Sequence, residues 1–286
     1  MAFWVIQSLN SLAFGALLFL LSVGFSLIFG LMRVANLTHG AYFMLGAYLG
    51  VTVLDYGGGF VLAALVGGVG VGVIGALVER LILRRLGGNP LGQVLVALGL
   101  TFVIADACLM LFGGDPMRIP PPPSLAGAAE MFGFYFPKYR LAVVGFAIFA
   151  VIGLYLLLER TRIGSMIRAG VDDMEMARAM GIPVSRIFTA VFFLGTALAG
   201  AGGVLGGPIL SVYPGLDQEM LPLALLVVIL GGVGSLAGAF IGAFLIGFIY
   251  TFGQALLPDL AYIILFLPMV IILIARPQGL CGRKLV

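Results

Sequence analysis

Side chains that could do chemistry are scarce in this sequence and stand in a few places. Glu159, Arg160, Arg162, Arg168, Asp172, Asp173, Glu175, Arg178 and Arg186 crowd one stretch. Asn36, Thr38 and His39 form a smaller polar group, and Asp106 stands alone in the apolar run FVIADACLM. Asp115, Arg118, Asp217 and Glu219 fall in polar connections. None of these sets suits catalysis. His39 is the one histidine, so a histidine-based metal cluster is excluded, and no Ser or Cys has an evident partner for nucleophilic chemistry. Cys108 and Cys281 are far apart in sequence, which argues against a disulfide framework or a zinc site. The only lysines, Lys138 and Lys284, follow Pro137 and Arg283, so no Gly-Lys-Ser/Thr phosphate loop exists. The chain reads as one with no catalytic residue, no metal and no cofactor of its own.

The elements that must carry these groups are membrane spans. The sequence is 62% hydrophobic and 9% charged, with a mean hydropathy of +1.21. Apolar stretches long enough to cross the hydrocarbon layer as helices recur along it. The reading is an all-α polytopic bundle of eight or nine transmembrane segments with room for broken helices, in a single domain over residues 1–286. Its expected spans are 5–29, 38–55, 60–79, 91–112, 140–158, 187–209, 219–233, 235–254 and 260–275. The segment 219–254, with GGVGSLAGAFIGA at its centre, fits either a tight turn between two short helices or a break within one re-entrant element. Glycines repeat every four residues at Gly46 and Gly50, Gly68 and Gly72, Gly202 and Gly206, and Gly234, Gly238 and Gly242, which predicts close helix packing. No basic residue precedes Arg33 and no small-residue cleavage site follows a short apolar core, so the first segment is read as a span and not a removed signal. A net charge of +3 comes without a basic patch interleaved with aromatics, which excludes nucleic acid as a partner.

Arginines set the sides. Arg80, Arg84 and Arg85 share one loop, Arg160 to Arg186 another, and Arg276, Arg283 and Lys284 the tail. By the positive-inside rule these are cytoplasmic, which puts Arg33 and the C-terminus inside and the N-terminus outside. The external loop 113–139 contains IPPPPS, whose four prolines favour a stiff polyproline II ledge. Asp217 and Glu219, in YPGLDQEML, belong to the same outer face, either as docking charges or simply solvated ones.

The charged stretch cannot lie in lipid. Asp172 is a plausible N-cap with Glu175 three positions on, Gly181 supplies a left-handed stop and Pro183 blocks continuation, which predicts a two-turn helix over 173–180. So short a helix is marginal alone. Met176 and Met180 are four apart, an adaptable apolar ridge beside the charged face. The spacing is compatible with a solvated helix on the membrane surface and with a knob docked in a soluble partner. Within the spans, Asn36, Thr38 and His39 suit either a substrate path at a helix break or a capped turn. Asp106 lies about 10 Å from the outer end of its helix and is expected to face the bundle or a wet cavity. Gln93, Thr101 and Gln254 read as interhelical glue.

Three stretches together resemble the permease subunits of branched-chain amino acid type ABC importers: GLMRVANLTHGAYFMLGAYLG (30–50), RTRIGSMIRAGVDDMEMARAMGIPVSRIF (160–188), and LAGAGGVLGG followed by ILGGVGSLAGAFIGA. The resemblance implies an ABC importer transmembrane domain in a bacterial inner (plasma) membrane. It makes 159–186 the cytoplasmic coupling loop and Ala169 to Gly181 its coupling helix, with Arg168, Ala169, Ala177 and Gly181 at the core and Asp172, Asp173, Glu175, Met176, Arg178 and Met180 beside them against the ATPase. Read from the residues themselves, Asn36, Thr38, His39 and Asp106 are candidates for the translocation path, and Asp115, Arg118, Asp217 and Glu219 for the docking face. The implied partners are a second related permease, two cytoplasmic ATP-binding subunits that hold ATP and Mg, and a periplasmic or extracellular substrate-binding protein. Leucine, isoleucine and valine are the default substrates, with urea, amides and organic acids among those of similar relatives. The rival class is an ATP-independent secondary transporter or channel.

Overall fold

Long apolar runs broken by Gly, Pro and Asn dictate where helices begin and end in the computed structural model, which describes residues 2–32, 36–131 and 133–282. The helices are α1 (Ala2–Met32), α2 (His39–Asp55), α3 (Phe60–Leu81), α4 (Pro90–Phe112), α5 (Lys138–Arg160), α6 (Arg162–Asp172), α7 (Met174–Ala179), α8 (Val184–Leu210), α9 (Leu216–Gly231), α10 (Leu236–Leu256) and α11 (Ala261–Ala275). Apart from α6 and α7, each corresponds to an expected span. Six of them are long and apolar enough to cross a membrane: α1, α3, α4, α5, α8 and α10. The other three have 17, 16 and 15 residues. At 1.5 Å per residue α9 reaches only about 24 Å, less than a full hydrocarbon layer.

Glycines decide the packing. α1, α2, α3 and α8 form the centre, where a Cβ added at Gly24 would stand 2.2 Å from the Gly195 carbonyl oxygen, and one at Gly46 would stand 2.3 Å from that of Gly200. Backbones therefore touch where any side chain would force them apart, which lipid alone would not drive. α9 and α10 form a hairpin: their turn holds Gly232 and Gly234 at φ 101° and 73°, and a Cβ at Gly238 would meet the Gly231 carbonyl at 2.1 Å. Of the two readings of this segment, the tight turn is the one observed. Outward faces of α3, α4, α5 and α11 carry exposed residues such as Leu65, Phe102, Phe149 and Ile274, an apolar surface suited to lipid or to another membrane chain.

The two ends of the bundle differ. At one, Gly170 of α6 packs on Leu31 of α1, Arg84 reaches Ser185 of α8, and the tail binds α9 through Leu280 N–H to the Leu230 carbonyl at 2.8 Å. This gathers the described arginines of both loops and Arg276 at the same end; Arg33, Arg283 and Lys284 lie outside the described residues. At the other end sits an antiparallel hairpin of β1 (Ala128–Met131) and β2 (Phe134–Pro137). There Met117 also bridges Val212, and Tyr139 donates to the Leu205 carbonyl at 2.7 Å. The polyproline ledge was the expectation for this loop. Pro122 does have extended angles (φ −59°, ψ 143°), but Pro123–Leu125 turns as a 3-10 helix and the hairpin follows.

Candidate functional site

Charge density points first to the segment between α5 and α8. Thr161 caps α6 by accepting from Gly164 N–H at 3.1 Å, and Gly164 fits so tightly that a Cβ would lie 2.1 Å from the Leu158 carbonyl oxygen. Arg168 donates to that same carbonyl and pairs with Glu159 at 3.2 Å, so it pins α6 back onto the end of α5. Arg168 and Ala169 thus belong to α6, so the expected coupling helix over 169–181 is broken at Asp173 into the end of α6 and a separate α7.

The short helix α7 is real, with its start corrected by one residue. Asp173, not Asp172, is the N-cap: its Oδ1 accepts from Met176 N–H at 2.9 Å, while Asp172 is the last residue of α6. The position three after the cap is then Met176, so no capping box forms, though Glu175 still lies in the first turn where the helix dipole favours an acid. At the other end Gly181 takes φ 78°, its N–H bonds to the Arg178 carbonyl at 3.0 Å, and Ile182 N–H reaches the Ala177 carbonyl at 3.0 Å. That pair of bonds is a Schellman stop. Ala177 is buried, whereas Met176 and Met180 are 59% and 75% exposed and Glu175 and Arg178 are also exposed. α7 therefore offers an apolar ridge flanked by charge, away from its own bundle.

A second cluster beside it was missed from sequence. Glu79, at the end of α3, is 1% exposed and receives Arg84 Nε at 3.0 Å and its terminal nitrogen at 2.8 Å. The same Arg84 nitrogen donates to the Ser185 carbonyl at 2.8 Å and to Thr189 Oγ1 at 2.5 Å, and Thr189 donates to Glu79 at 2.8 Å. This network ties the α3–α4 connection to the first turns of α8, directly after α7. The only signal in the sequence was an acid five residues before an arginine at the end of an apolar run, and it had served solely to mark a loop.

Inside the bundle, the polar group around α2 is buried. Asn36, Thr38 and His39 are at most 5% exposed. Thr38 donates from Oγ1 to the Ala97 carbonyl at 2.8 Å and does not cap α2, and Asn36 Oδ1 accepts from Thr38 N–H at 3.3 Å. His39 Nε2 meets the Leu21 carbonyl at 2.9 Å. Depth follows from α1: Asn10, which bonds Arg140 at the hairpin end, and Met32 at the other end are each 11 residues, about 16 Å, from Leu21. α2 therefore begins inside the bundle, against α1 about 16 Å from its Met32 end. His39 Nδ1, Asn36 Nδ2, Tyr42 OH and Tyr48 OH have no hydrogen-bond partner. The expected interhelical glue is present in Gln93, which donates to the Leu83 carbonyl at 3.2 Å, and in Thr101, which reaches Leu37 at 3.2 Å.

Two acids are not where the sequence put them. Asp217 is no loop charge: it lies in the first turn of α9 at 2% exposure, beside the start of α2, where a Cβ on Gly40 would stand 2.5 Å from its carbonyl oxygen. Burial removes it from any docking face. Asp106 was expected to face the bundle, but α4 turns Gln93, Ala97, Thr101 and Cys108 inward and leaves Asp106 exposed on the opposite side. Asp115 and Arg118 are exposed near the hairpin, and Glu219, also in α9, is exposed as well.

The family described as "Branched-chain amino acid transport system / permease component" matches residues 7–273. Among curated proteins, the high-affinity branched-chain amino acid transport system permease protein BraD of Pseudomonas aeruginosa is 28% identical over 97% of this chain and 95% of its own. LivH of Escherichia coli K12, of the same description, is 25% identical over the same shares. A probable branched-chain amino acid transport permease of Methanocaldococcus jannaschii is 27% identical over 83% of this chain and 77% of its own. No solved structure matches the chain.

Proposed function

The chain belongs to the permease family of branched-chain amino acid transport systems, which makes it the transmembrane subunit of an ATP-binding cassette importer and not an enzyme, and from that premise we propose how it works. Leucine, isoleucine, valine or a related small polar solute passes inward by alternating access. The family implies ATP-binding and substrate-binding partners. ATP and Mg are handled by two cytoplasmic subunits, and a second, related permease completes the path. The membrane is the bacterial inner membrane. The end that gathers the arginines of the 80–85 and 160–186 loops with Arg276 is cytoplasmic, because basic loops are retained inside, and this leaves the N-terminus outside.

One observation carries the coupling role: α7 is fixed at both ends and turns Met176 and Met180 away from the bundle. A two-turn helix with exposed methionines outside the spans is suited to an adaptable groove on an ATP-binding subunit. Asp172, Asp173, Glu175, Arg178 and Gly181 shape and flank this contact, and Ala177 seats it. Arg168 and Ala169 carry its motion to α5, while the Glu79–Arg84–Thr189 network carries it to α3 and α8. The break before α2, with Asn36, Thr38 and His39, forms the gate of the path, since irregular backbone at depth is tolerated only where protein or water covers it. Asp106 faces the second permease, because a carboxylate held in lipid would be costly. Asp115 and Arg118 remain on the side that meets the binding protein, whereas Glu219, two residues past the buried Asp217 in α9, lies away from that side.

The test is uncoupling. In the assembled complex, Glu175→Arg and Gly181→Pro are expected to insert normally while ATP hydrolysis no longer drives uptake. Uptake at the wild-type rate in both variants would defeat the coupling assignment. A purified chain that binds no ATPase and transports equally well without ATP would defeat the importer mechanism.

A further inference from the structure

We propose that Asp217 is the group that receives the ammonium of an amino-acid substrate inside the membrane, an inference that rests on the importer reading and adds a residue to its path. The carboxylate is 2% exposed, yet neither oxygen completes a hydrogen bond; only the backbone N–H groups of Gly215, Asp217 and Gln218 at the start of α9 lie near it. A buried acid held only by the backbone N–H groups of its own helix start, with no countercharge, is costly, and inside a membrane such groups mark solute paths. Two things place it on the path. First, it adjoins the start of α2 inside the bundle, where Gly40 leaves no room for a side chain between the two helices: a Cβ there would be 2.5 Å from Asp217 O and 2.9 Å from Leu221 Cβ. Second, the turn into α2 that it adjoins carries further buried polar atoms without a partner, Asn36 Nδ2 and His39 Nδ1.

The approach to Asp217 is also unusual. Ser211 is the one non-glycine at positive φ among the described residues (66°), and Gly215 takes 104° just before α9. These turns bring the chain from the hairpin end back into the bundle so that α9 starts deep. An ammonium offers three N–H donors and a positive charge, which match an acceptor-only carboxylate. The competing role is structural: an acid in the first turn of α9 is favoured by the helix dipole whether or not solute ever reaches it.

Asp217→Asn separates the two, since it keeps the size and an acceptor for backbone N–H while removing the charge. The full complex with its binding protein, reconstituted in proteoliposomes, is assayed for uptake of radiolabelled L-leucine per assembled complex. The expected result is normal assembly of the Asn variant, with uptake lowered roughly tenfold or more, and substantial recovery with Asp217→Glu. Uptake by the Asn variant at the wild-type rate would overturn the proposal. Failure of the Asn variant to assemble would assign the charge to holding the helix start, and would overturn it equally. A wild-type complex that takes up no leucine under ATP would refute the importer reading and this proposal with it, whereas an active wild type beside an equally active Asn variant refutes the proposal alone.

Discussion

Replacing Asp173 by alanine tests how the exposed helix α7 is held. Its six residues close few intrahelical bonds, among them Ala177 N–H to the Asp173 carbonyl at 3.0 Å and Met180 N–H to the Met176 carbonyl at 2.9 Å. With so few, the cap is a large share of the local stability. Asp173 Oδ1 satisfies the Met176 N–H at 2.9 Å, and the loss of such a cap costs about 1 kcal/mol. That energy corresponds to roughly a fivefold change in the ratio of formed to frayed helix. If the formed helix is what docks, the affinity of the permease for its ATP-binding subunits falls by up to the same factor. Asp173→Asn retains a capping oxygen and should stay near wild type. The assay is paired: amide hydrogen exchange over 174–180 in nanodiscs, and titration with a labelled ATP-binding subunit. Unchanged exchange in the alanine variant, or an asparagine variant that behaves like alanine, would refute the reasoning.

The packing and the buried ion pair make two further predictions. Gly203→Ala puts a Cβ 2.0 Å from the Phe43 carbonyl oxygen, a backbone atom that cannot yield without separating α2 from α8, so the variant should be recovered mostly as misassembled material on size exclusion. Glu79→Ala removes the partner of Arg84 and an acceptor for Thr189; because Arg84 is one-third exposed and can regain water, the loss should be roughly 2–3 kcal/mol, less than for a fully buried pair. Glu79→Gln should lose less, since it can still accept from Thr189. Thermal stability in detergent checks the order wild type, Gln, Ala.

Much of the fold was legible because apolar length and its interruptions are local signals. Each expected span has its helix, and Asn89, Ser235 and Gly232 mark helix ends through their own capping or positive φ. The misses have a common cause in context. Asp172 and Asp173 are both competent caps, and what decides between them is that α6 runs through Asp172, a helix hidden by its half-polar composition. The hairpin escaped because its alternating strands, AAEM and FYFP, are four residues each and follow a run of prolines. Asp217 looked like a loop charge after Pro214 and Gly215, and only the tertiary placement of α2 against α9 buries it. The exposure of Asp106 likewise depends on which face of α4 meets α2. The short helix α7 and its left-handed stop at Gly181 were readable from local signals, whereas the Glu79–Arg84–Thr189 network joins positions over 100 residues apart.

The central claim is that α7 makes the mechanical contact with an ATP-driven subunit, and a photo-reactive residue in place of Met176 tests it most directly. Illuminated in native membranes carrying the whole complex, that side chain is expected to cross-link to an ATP-binding subunit, with the yield changing between nucleotide-free and ATP-bound states. Cross-links only to lipid or to the permease itself, in membranes that still take up solute under ATP, would contradict it.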